Sequence, residues 1–108
     1  LFNQFADNLA QSIRAQGFIR LIIESSSSKV PTYIHGNNAI LAGKRAEDAK
    51  QKLMQAVLVR GADPMRMIVT EERAIVQGPD YEGDIKTNPY KYEAYQYIKL
   101  IPEHLIRQ

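Results

Sequence analysis

The chain has 108 residues, 44% of them hydrophobic and 24% charged, with a formal net charge of +2. These are the proportions of an ordinary folded domain, and they exclude a disordered tail, a collagen-like rod and a disulfide-knotted miniprotein. Cys is absent and the two histidines, His35 and His104, form no HxxxH or HxH pair; thiol chemistry, disulfides and a spaced zinc site are excluded, and neither metal nor cofactor is expected.

The length suits one domain over residues 1–108. The first residue is Leu1, not Met, and no signal peptide is visible, so the chain is expected to be a piece of something longer. No apolar run approaches the ~18 residues of a membrane span, so direct membrane insertion is not expected. Residues 1–54 carry +3 and residues 55–108 carry −1. That mild asymmetry argues against a nucleic-acid partner, which would need its basic residues gathered in one stripe.

In the first stretch, Phe2, Phe5, Leu9 and Ile13 step by three, four and four residues and share one face of a helix. Gly17 is its natural stop, because glycine accepts the left-handed conformation cheaply. The apolar run Phe18–Ile23 then reads as a central strand covered on both sides. Four serines, Ser25 to Ser28, are expected to end it in a turn. Pro31, His35 and Gly36 mark Lys29 to Asn37 as a loop.

A long helix starts near Asn37 or Asn38, either of which can cap it. Ala42, Ala46, Ala49, Leu53 and Val57 form its buried stripe, and the small members let it lie close to a sheet. Arg45 stands at the border of that stripe. Asp48 and Lys52 are expected to pair at i, i+4 on the wet side. Gly61 ends the helix. Met67, Ile68 and Val69 open a second strand, which Ala74–Val76 either continue or follow as a separate piece.

Residues 78–92, rich in Gly, Pro, Asn and Asp, read as a long surface loop, of a length usually functional or mobile. A last strand includes Tyr95, Tyr97 and Leu100 and ends at Pro102. The spacing of Tyr90, Tyr92, Tyr95 and Tyr97 suits strand faces, in packing or at a partner surface. The strand–helix–strand unit demands a parallel pair, and the loop-connected last strand is expected to run antiparallel. The expected fold is α+β: a mixed sheet with two helices on one face. A further strand could precede Leu1.

The helix and its flanks resemble the OmpA-like family, periplasmic domains that hold peptidoglycan. The core signature falls on Asn38, Leu41, Arg45, Ala46, Ala49 and Leu53. The tract Gly61-Ala62-Asp63-Pro64-Met65-Arg66-Met67 is similar to the family's Gly-Val-Asp-Pro-Ser-Arg-Ile turn. Ile22-Ile23-Glu24 sits where the family strand leads into Gly-His-Thr-Asp. The resemblance covers residues 5–100 and implies a βαβαβ sandwich.

It also implies noncovalent binding of peptidoglycan, tethering an outer-membrane or periplasmic protein to the wall, with no enzymatic activity. In the family, a loop aspartate and the helix arginine clamp a diaminopimelate residue of the stem peptide. The chemistry is sound: a guanidinium takes the carboxylate and an acid takes the ammonium. Arg45 would be the guanidinium, Asn38 would hold the helix start, and Ser25, Ser26, Ser27, Ser28, Thr32 and Tyr33 would offer neutral polar contacts.

The departures fall on this site. Ser25–Ser28 replace Gly-His-Thr-Asp, so the aspartate is lost. Glu71-Glu72-Arg73 replace Gly-x-Gly-Glu, and Tyr95-Gln96-Tyr97 replace paired arginines. Asp80 and Asp84 would stand in for the lost acid only if their loop folds over Arg45. The competing expectation is a degenerate OmpA-like fold serving as a structural or protein-interaction module, with an envelope protein as partner. A serine hydrolase is disfavoured, since no motif places a base beside the serines and Gly-x-Ser-x-Gly is absent.

Overall fold

The computed structural model describes residues 2–32 and 37–106. The elements in chain order are α1 (Phe2–Gln16), β1 (Ile19–Ser27), α2 (Asn38–Val59), a 3-10 turn (Pro64–Arg66), β2 (Met67–Val76), the single turn α3 (Tyr90–Glu93) and β3 (Tyr97–Glu103). The fold is α+β. The strands form one sheet in the order β2-β1-β3, with β1 parallel to β2 and antiparallel to β3. Both long helices lie on one face, and Leu9, Ile13, Ile19, Leu21, Ile23, Ala46, Leu53, Val57 and Met67 form the core between them and the sheet.

Local chemistry fixes the boundaries. Gly17 ends α1 at φ 86°, its N–H bonding the Ile13 carbonyl at 2.8 Å. The Asn37 side chain caps α2 by accepting from the Ile40 N–H at 2.8 Å. At the far end Gly61 adopts φ 79°, its N–H reaching the Leu58 carbonyl while the Ala62 N–H reaches Val57. That pair of bonds is a Schellman closure, which satisfies carbonyls the helix leaves unpaired. Arg60 then ties α2 to α1, its Nε donating to Asp7 Oδ1 at 2.6 Å.

Three expectations are corrected and one open alternative is decided. The serines do not end β1: Ser25, Ser26 and Ser27 are strand residues, paired with Ala74, Ile75 and Val76 on one side, and Ser25 and Ser26 with Ile98 and Tyr97 on the other. Two flanking strands satisfy the backbone whatever the side chains, so a polar tail is carried into the sheet. β1 is central but not covered on both sides along its length. Ile19, Leu21 and Ile23 are buried, whereas Arg20 is exposed and Ile22 half-exposed on the helix-free face. β2 is one continuous strand across Glu71–Arg73, with a register shift that leaves Thr70 unopposed. Pro102 lies inside β3, not at its end, which an edge strand tolerates because it needs hydrogen bonds on one side only.

The segment between β2 and β3 is organised. Tyr92 is fully buried and packs edge-on against Tyr81, with ring centroids 5.5 Å apart. Its hydroxyl donates to Asp84 and accepts from the Glu82 N–H. Tyr90 and Tyr92 therefore sit on a helical turn, not on strand faces. Gly78, at φ 104°, lies against the Tyr95 ring so closely that a Cβ there would meet Cδ2 at 2.7 Å.

Candidate functional site

The residues expected to form one site divide between two places. Ser25–Ser28 are all buried. On the helix-free face, Gln77 Nε2 donates to Ser26 Oγ at 2.9 Å and to the Tyr97 hydroxyl at 3.0 Å. Tyr97 in turn donates to Glu24, and Gln96 Nε2 donates to Ser28 Oγ at 3.0 Å. On the helix face, Ser27 Oγ donates to Asn38 Oδ1 at 3.3 Å, and Ser25 Oγ has no partner among the described residues. The run is thus an internal polar seam and not an exposed cradle. Its small side chains suit the close approach of α2, where a Cβ on Gly43 would stand 4.0 Å from that of Ala74.

Arg45 lies elsewhere. It lines a cavity of about 750 Å³ between α1, the middle of α2 and the helix-side face of β3. The floor is apolar, from Phe5, Leu53, Ile98 and Leu100; the rim carries Arg45, Asp48 and Lys52. The opening follows from the packing. The C-terminal half of α1 buries Leu9 and Ile13, but its first turn leaves Phe2 46% exposed, and Ile98 on β3 is 40% exposed. Asn38, Thr32 and the serines do not line this cavity. Tyr33 and His35 lie outside the described residues.

Arg45 is half-buried and makes no salt bridge or hydrogen bond among the described residues. Asp48 and Lys52 do not form the expected pair; instead Gln51 donates to Glu47 and Lys50 reaches Glu72. Neither loop acid folds over Arg45. Asp80 pairs with Lys29 at 3.2 Å, and Asp84 binds Tyr92 and Lys91. The Tyr92 hydroxyl, helped by the Lys91 ammonium, holds the Asp84 carboxyl below its ordinary pKa. Glu82 and Asp84 together push Lys91 up.

The sequence reading placed Asp48 and Lys52 in a surface pair and assigned neither them, nor Phe5 of α1, nor Ile98 and Leu100 of β3, to a site. A signal was present for the helix residues: positions 45, 48 and 52 follow the i, i+3, i+7 rule of a single helix face. Among the described residues no cluster of His, Asp or Glu could hold a metal ion, and no helix is long and apolar enough to cross a membrane. His104, at φ 58°, is a surface residue beside Glu103. No family model matches the chain, and no curated protein matches it.

Proposed function

We propose that this is a binding domain that associates noncovalently with the stem peptide of peptidoglycan and tethers a larger envelope protein to the wall in the periplasm. The observation that carries this reading is Arg45: a guanidinium without a partner among the described residues, half-buried at the mouth of a cavity of about 750 Å³. A ligand carboxylate would give this guanidinium a charge-assisted partner. The resemblance of the α2 signature to the OmpA-like family supports the same assignment. The volume falls within the ~300–1,000 Å³ of ordinary ligand pockets. The serines contribute by packing α2 against the sheet, not by touching the ligand.

The test is retention on purified sacculi at low salt. The chain should sediment with them and Arg45→Ala should not, while circular dichroism shows both folded. A wild-type chain left in the supernatant removes the reading.

A second reading has its own support. The apolar floor and the outer edge of β3, unpaired among the described residues, also fit an extended protein segment, as expected of an interaction module without wall binding. Association of that kind would resist salt and survive Arg45→Ala, because apolar burial is not screened.

A further inference from the structure

We infer that β3 is a self-pairing edge: two copies of this chain join β3 to β3 antiparallel about a two-fold axis at Ile101, making one continuous sheet. The inference goes beyond wall binding and stands or falls without it.

The helix-free face of the sheet is ordered in rows. Arg73, Glu24 and Lys99 face one another across β2, β1 and β3, and Arg20 faces Glu103 across β1 and β3. Between these rows Ile22 faces Ile101. Arg73 Nη1 reaches Glu24 Oε1 at 3.6 Å. Charge thus alternates in sign along each row, and the rows end on β3 in one lysine and one glutamate. Among the described residues no strand pairs with the outer edge of β3. Beyond it the chain turns at His104, whose Nε2 lies 3.6 Å from Glu103, and the Ile106 N–H donates to Ser12 Oγ on α1 at 2.9 Å.

A two-fold axis normal to the sheet keeps side chains on their own face, so the register centres on a residue. Centred on Lys99 or Glu103, like charges meet at the axis, which is unfavourable. Centred on Ile101, Lys99 of each copy faces Glu103 of the other, and the two Ile101 side chains meet. No other centre within β3 pairs opposite charges. The row Arg73–Glu24–Lys99 then runs on into Glu103 and Arg20 of the second copy, alternating in sign throughout. A lysine ordinarily guards an edge strand against a second edge; here the register that joins the isoleucines also neutralises it. Pro102 stands opposite Leu100 of the copy and withholds at most one N–H from each half of the seam. So short a seam predicts weak association.

The experiment follows the 108-residue chain by sedimentation equilibrium at low salt, where ion pairs are least screened, up to ~0.5 mM. The average mass should rise with concentration from 12.3 kDa toward twice that value. Lys99→Glu and Glu103→Lys each turn two attractions into two repulsions and should weaken the dimer about tenfold or more. Mixed in equal amounts, the two variants should associate again, because every charge then faces its opposite across the seam. Lys86→Glu, an equal change of charge away from the edge, should leave association unchanged. On dilution of the wild type, amide shifts should change along β3 and not along β2. A wild type that stays monomeric leaves the edge to some other segment and overturns the inference. So do shifts confined to β2, single variants that dimerise like the wild type, or a mixture that stays monomeric.

Discussion

Two adjoining regions of the sheet, the serine run of β1 and the cavity beside β3, invert the usual relation between polarity and exposure. Along the serine run, four hydroxyl side chains are buried, Ser26 and Ser28 under Gln77, Gln96 and Tyr97 and Ser25 and Ser27 under the helix layer. At the β3 cavity, phenylalanine, leucine and isoleucine face open space under a charged rim. The difference shows that accessibility is set by what covers a strand, not by its residue types. Two neighbouring strands and a close helix seal even a polar run, whereas an edge strand that the first turn of α1 does not cover leaves apolar groups exposed. Recognition chemistry therefore belongs to the second place.

The contrast can be broken by mutation, beginning with the core that both regions share. Leu21→Ala, at a fully buried site, should cost ~2–5 kcal/mol in urea unfolding, while Ile98→Ala at the cavity should cost less than ~1 kcal/mol. Equal losses would mean that the cavity is closed in solution. Next comes Gly78→Ala, which combines a positive φ with a collision against Tyr95 and should destabilise by ~1–3 kcal/mol. Combining it with Tyr95→Ala should recover only part, because the backbone conformation stays unfavourable.

Within the serine seam the effects should differ by partner. Ser26→Ala removes an acceptor from Gln77 and should cost about 1 kcal/mol. Ser25→Ala removes a buried hydroxyl that has no partner among the described residues, and should be neutral or slightly stabilising. A large loss at Ser25 would reveal a bound water. The smallest effect is acid dependence. Asp84 titrates below its ordinary 3.8 when folded, so its contribution is present above that value and fades as pH falls through the lowered one. Asp84→Asn should lower stability modestly at neutral pH, where the ionised carboxylate contributes in full, and flatten the stability profile below about pH 4.

The architecture was legible because its signals are local. The 3.6-residue spacing of Leu9, Ile13, Ala42, Ala46, Leu53 and Val57, the glycine stops at Gly17 and Gly61, and the connection lengths fix two helices on one face of a mixed sheet. The serine strand was not legible, since β structure at Ser25–Ser27 is imposed by partners some fifty to seventy residues away in Ala74–Val76 and Tyr97–Ile98. Arg45 was visible as a border residue of a buried stripe. The floor beneath it was not, because Ile98 and Leu100 read simply as strand core, and the exposed first turn of α1 that leaves them open has no sequence signal. Asp48 was seen but assigned to a surface pair with Lys52 that the fold does not make.

The contact between Gly78 and the Tyr95 ring means that the long connection leaves and rejoins the sheet at a single corner. Chain length between those two residues is thereby uncoupled from strand alignment, and the entropic penalty of a longer excursion grows only logarithmically. The exposed tip at Lys86 is accordingly a place where a tag or a foreign epitope could be spliced in, leaving both the hydroxyl-lined seam and the ligand cavity untouched.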